Sequence, residues 1–170
     1  LATLLSIGIF AAFNTLENYR LLDQTRLMKD RDAIVERTHK IRANSPLMAP
    51  YGELTEAVVF ELNRQNLEEK IVLNDKAMRF WPAHHFVFHQ TAFLAWAGHE
   101  VEANKLLSQA LTIYPKWALL YAKNIRLLSK EDRKALGSIE TRMRSVMPEI
   151  CRIYAPELIG KAPECDGNFD

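Results

Sequence analysis

Three observations make this chain an all-α protein. Leu, Ala, Glu, Lys and Arg dominate, and these side chains lose little freedom on entering a helix. Only 6 glycines and 7 prolines interrupt 170 residues, too few for a chain of many tight hairpins. Apolar positions recur three and four apart rather than alternating, which is the helical period. At this length, with 48% apolar and 25% charged residues, the chain suits a folded domain with a real core. Its net charge of +1 makes no electrostatic case for a nucleic-acid partner.

The elements follow in order. Residues 1–16 (LATLLSIGIFAAFNTL) carry no charge, and a bilayer-spanning helix needs about 20 apolar residues. Leu1, Leu4, Leu5, Ile7, Ile9, Phe10 and Phe13 cover every face of a helix, which suits lipid better than a one-sided core. The segment reads as the end of a transmembrane helix; a buried core helix is the alternative. From Glu17 to Ala43 charges of both signs alternate without Pro or Gly, and Leu27, Ile34 and Ile41 recur seven apart. This pattern predicts one long stalk helix over residues 17–45, about 40 Å long at 1.5 Å per residue. Asn44-Ser45-Pro46 and Pro50-Tyr51-Gly52 are expected to break it.

Residues 46–170 then read as short helices forming a soluble domain. Leu54, Ala57, Val58 and Leu62 give one stripe; Leu67, Ile71 and Met78 give a second that stops at Trp81-Pro82. A third helix covers residues 83–97 and ends at Gly98, a residue suited to a left-handed cap. Val101, Ala103, Leu107, Ala110 and Leu111 form a fourth, halted by Tyr114-Pro115. Residues 117–128 make a fifth. Leu136, Ile139, Met143 and Val146 make a sixth, expected to stop at Pro148.

Internal repetition is the most informative signal. Ala77-Met78-Arg79-Phe80-Trp81-Pro82 is echoed 33 residues later by Ala110-Leu111-Thr112-Ile113-Tyr114-Pro115, and Val87-Phe88 by Leu120-Tyr121. Helical hairpins at a period near 34 resemble tetratricopeptide repeats, an α-solenoid architecture. Gly98, Ala103, Leu107, Ala110 and Pro115 stand at that family's spacing, with Ala77 and Pro82 in the degenerate first copy. The alanines let neighbouring helices approach and the prolines end each unit. Val87, Gln90 and Thr91 depart from the pattern.

A second resemblance involves Glu17-Asn18-Tyr19-Arg20, Ser45-Pro46-Leu47-Met48, Phe88-His89-Gln90-Thr91-Ala92 leading into Leu94 to Gly98, and Glu102-Ala103 through Tyr114-Pro115. Together these look like the C-terminal region of PglL-type bacterial O-oligosaccharyltransferases, relatives of O-antigen ligases and membrane-bound polysaccharide polymerases. The resemblance implies a multi-span inner-membrane glycosyltransferase, moving a lipid-linked glycan onto an acceptor at the periplasmic face. It also implies that the catalytic residues lie outside this chain and that its partners, reached through the parent enzyme, are acceptor protein or lipid-linked glycan; no cofactor motif is visible in these residues, and the membrane is expected to be met through the N-terminal helix. The alternative is a repeat adaptor on a single membrane anchor. Arg20, Arg26, Lys29 and Arg31 crowd the membrane end and pull against a periplasmic placement by the positive-inside rule, which is weak for long translocated domains.

Cys151 and Cys165 lie in a Pro-rich tail, where a disulfide would close a loop of about 15 residues and contribute about 3 kcal/mol. Two free thiols are the alternative. His84, His85 and His89 could share a face around a metal, but no Cys or carboxylate accompanies them, and they read as polar positions on a repeat groove. No serine sits in a nucleophile elbow and no Gly-rich phosphate loop is present, so no catalytic residue is assigned. Phe80, Trp81, Phe86, Phe88, Phe93, Trp96, Tyr114, Trp117 and Tyr121 read mainly as core, with exceptions expected wherever a binding face lies.

Overall fold

The structure, a computed structural model, describes residues 2–25 and 27–169, with side chains from Ile9 onward. It is all-helical among the described residues. The chain divides into two compact units, residues 1–60 and 61–170.

The first unit holds α1 (Ala2–Thr25), α2 (Arg31–Asn44) and α3 (Ala49–Val58). The single stalk helix expected over residues 17–45 is therefore corrected to two helices that fold against each other. Asp30 caps the new helix: its carboxylate accepts from the Ala33 amide at 3.2 Å at the start of α2. Leu22, Ile41 and Met48 bury one shared seam. The Asn14 amide donates to the Asn44 carbonyl at 2.7 Å, satisfying an end of α2 that would otherwise lack a partner. Of the residues spaced seven apart, Ile34 and Ile41 are buried and Leu27 is exposed; Arg26 lies outside the described residues.

Pro50 does not interrupt the chain as expected. It occupies the first turn of α3, where a missing N–H costs nothing. Gly52 lies inside that helix, and a Cβ there would stand 3.0 Å from Arg42 Cγ, so the glycine permits close packing of α3 on α2. The buried Glu56 carboxylate is held between Arg42 at 2.8 Å and His39 at 3.0 Å. Helix α3, read with the later repeats from the sequence, thus belongs to the first unit. No helix among the described residues is long and apolar enough to cross a membrane.

The second unit contains α4 (Leu67–Phe80), α5 (His84–Trp96), α6 (Glu100–Ile113), α7 (Ala118–Arg126), α8 (Lys130–Lys134) and α9 (Ser138–Tyr154). Three-residue turns join α4 to α5 and α5 to α6, and Gly98 takes the left-handed conformation at φ +85° that ends α5. Helices α4 and α5 run antiparallel: Gln90 donates to the Ile71 carbonyl at 3.2 Å while Asn74 reaches Phe86 O and Gln90 Oε1, both at 2.8 Å. The core gathers Ala103, Leu107 and Ala110 from α6, Tyr121 and Ile125 from α7, and Ile139, Met143 and Met147 from α9.

Pro148 was expected to stop the last helix but lies inside α9. Proline there removes the amide that would bond the Arg144 carbonyl. Gly167 covers that carbonyl; a Cβ on it would stand 3.0 Å from Arg144 O. The stripe that α9 buries is Ile139, Met143, Met147 and Cys151, while Val146 is only half-buried. Cys151 and Cys165 are joined in a disulfide that ties the tail to α9. Glu164 in the same tail is buried and accepts from Arg126 at 2.7 Å.

Candidate functional site

The sequence echo becomes a spatial one. His84 stacks on Trp117 with ring centroids 3.7 Å apart and planes 11° from parallel. Phe88 stacks on Tyr121 at 4.9 Å, so residues 33 apart in sequence meet twice, once between α5 and the turn that precedes α7 and once between α5 and α7. Asn104 donates to Ser138 at 2.7 Å, joining α6 to α9 at a separation of 34. The Tyr114 hydroxyl donates to the Pro82 carbonyl, clipping the two echoed turns together. Of the residues assigned to repeat packing, Ala77, Ala103, Leu107 and Ala110 are buried, Gly98 ends α5, and Pro82 and Pro115 sit in the turns after α4 and α6.

These turns gather an aromatic edge on the second unit. Phe86, Phe88, Phe93 and Tyr121 are core, and Trp96 and Tyr114 are half-buried. Phe80, Trp81 and Trp117 are not core: Trp81 is 56% and Trp117 46% exposed. One face of Trp117 is taken by His84, whose pKa is lowered by burial, so the pair is neutral near pH 7. Flat, uncharged rings open to solvent can stack on the C–H faces of a sugar or on apolar peptide side chains, and the indole N–H adds a donor.

Two hollows flank this edge's helices. The larger, of about 660 Å³, runs between α4 and α6 over Gln90 and Leu94, with Val72 and Leu106 on its walls and Asp75, Arg79 and Lys105 among its charged groups. The smaller, of about 400 Å³, is bounded by Glu61, Asn63, His89, Asn124 and Leu127. His89 borders it with a buried Nδ1 that has no hydrogen-bond partner. Burial, then the nearby His85 and Lys70, push the His89 pKa down to about 4.

The buried Lys70 escaped the sequence reading. Its ammonium donates to the Glu61 carbonyl at 3.1 Å, the Asn63 carbonyl at 3.2 Å and Asn63 Oδ1 at 2.5 Å, fixing the segment that leads into α4. Nothing in Leu67-Glu68-Glu69-Lys70 distinguishes that lysine from a solvated one. The Asn74–Gln90 pair and the Arg126–Glu164 bridge were likewise invisible, since each joins elements distant in sequence.

No curated protein and no solved structure matches the chain. Residues 1–123 match the family described as virulence factor membrane-bound polymerase, C-terminal, so the match takes in the whole first unit and runs into α7. With that much of its 170 residues covered, the chain belongs to this family of membrane-bound polymerases.

Proposed function

We propose that this chain is the helical C-terminal region of a bacterial inner-membrane glycan ligase or polymerase of the PglL-like kind, lying on the periplasmic side, with its tetratricopeptide-like second unit docking the glycan. The reading rests above all on the aromatic edge at the two echoed turns, where Trp81 and Trp117 stand open to solvent beside half-buried His84 and Tyr114. Glycans present few charges and many C–H faces, which rings of this kind recognise. The disulfide in the tail suits an oxidising compartment such as the periplasm. The exposed apolar residues of α1, among them Phe10 and Phe13, suit insertion of its uncharged half into a bilayer. On this reading the chain holds substrate and the parent enzyme supplies the chemistry.

The test is carried out in cells producing the full-length parent at matched membrane levels. Trp81→Ala combined with Trp117→Ala should lower glycan transfer by roughly ten-fold or more, with each ring–sugar contact contributing about 1 kcal/mol. Undiminished transfer by the double variant would remove the docking role. The isolated chain, given lipid-linked glycan and acceptor, should yield no product.

A further inference from the structure

The corner between α2 and α3, residues 45–48, lies beside the uncharged half of α1. The Asn14–Asn44 hydrogen bond of 2.7 Å fixes the end of α2 three residues before Glu17, the first charged residue of the chain. Leu47 and Met48 there form a hollow of about 490 Å³ with Ala11, Thr15, Leu16 and Tyr19. Leu47 is 70% exposed, as is Phe13, and Phe10 is 75% exposed. A leucine so exposed, beside phenylalanines equally exposed, is costly in water and favourable against lipid.

We propose that this corner is a second membrane contact, in which Leu47 enters the boundary between headgroups and acyl chains and the hollow beside it takes the headgroup-proximal part of a phospholipid acyl chain. The inference rests on the reading that the uncharged half of α1 enters the bilayer. If it does, the corner cannot stay clear of the membrane. Three residues of helix rise only about 4.5 Å, less than the roughly 5–8 Å of headgroup region on one side of a bilayer. The corner is also prepared for partial desolvation. Ser45 N bonds Ile41 O at 3.0 Å, Met48 N and Ala49 N both bond Ser45 O, at 3.0 and 2.9 Å, and Pro46 has no N–H to satisfy. Tyr19, exposed one turn beyond Thr15, occupies the level where interfacial aromatics collect.

The chain is reconstituted into vesicles of equimolar phosphatidylethanolamine and phosphatidylglycerol, with dansylalanine placed singly at Phe13 or Leu47. Lipids brominated near the headgroup end of the acyl chain should roughly halve emission from position 47. Position 13, only about 6 Å from Glu17 along the helix, should be quenched by the same lipids, and lipids brominated near the methyl end should affect both positions less. Quenching at 13 with none at 47 overturns the inference and leaves the membrane reading standing; no quenching at either overturns both. The unlabelled chain gives an independent readout with a phospholipid bearing a photoreactive acyl chain. Adducts are expected within residues 44–51 as well as in α1, and adducts confined to residues before Glu17 overturn the inference.

Discussion

At the scale of single residues, the alanines matter most for packing. Ala103 and Ala110 are fully buried on α6, each where a larger side chain would meet a neighbouring helix. Ala103→Leu or Ala110→Leu should cost roughly 1–3 kcal/mol, the usual penalty of overpacking. Denaturant melts read this directly, and a midpoint equal to that of the parent chain would refute close approach at that position. Tyr121 shows how a polar group is tolerated at the same depth. Its hydroxyl meets Thr91 Oγ1 at 2.9 Å, and burial raises its pKa far above the phenol's ordinary value. Lys70 is tolerated because three oxygens receive its ammonium and the Phe93 ring lies 5.5 Å below it.

At the scale of elements, the tail and α9 form one device. Pro148 leaves a carbonyl uncovered, Gly167 packs over it, and the Cys151–Cys165 bridge holds the two together. Phe169 is fully buried by this arrangement and lies 5.3 Å from the Arg144 guanidinium. Reducing the bridge should cost about 3 kcal/mol, because a loop of about 15 residues regains its freedom in the unfolded chain. Thermal melts with and without reductant measure the loss. A Tm insensitive to reductant would mean that the tail stays docked without its staple and that the bridge adds little. The break between α1 and α2 is the other decision at this scale, since it replaces a projecting rod by a hairpin that returns α2 to the uncharged end of α1.

For the molecule as a whole, pH dependence follows from the histidines on α5. Their folded-state pKa values lie below the unfolded value near 6.5, that of His89 at about 4, so the unfolded chain binds more protons between those limits. Stability contributed by neutral His89 is complete above pH 6.5 and is lost as pH falls toward 4, by up to about 3 kcal/mol. Urea titrations across this range should show the decline. His89→Gln should flatten it, and an equally steep decline in that variant would place the acid sensitivity elsewhere. The second unit carries its own core, which runs from α5 to Phe169.

The sequence by itself determined the helical class, the spacing of 33 that brings His84 to Trp117 and Phe88 to Tyr121, and the stops at Trp81-Pro82, Gly98 and Tyr114-Pro115. All of these depend on local propensity, or on a repeat whose copies must stack to bury their apolar faces. Only the tertiary structure decided which aromatics are core and which are surface, because Phe80, Trp81 and Trp117 carry the same side-chain chemistry as their buried counterparts. It also decided that Pro50 opens a helix and Pro148 rides within one, since a proline's effect depends on whether the amide it lacks had a partner to lose. Asp30 reads in sequence as one more charge in an alternating run. Its role as a cap emerges only once α2 turns back and Leu22, Ile41 and Met48 repay the turn with a buried seam.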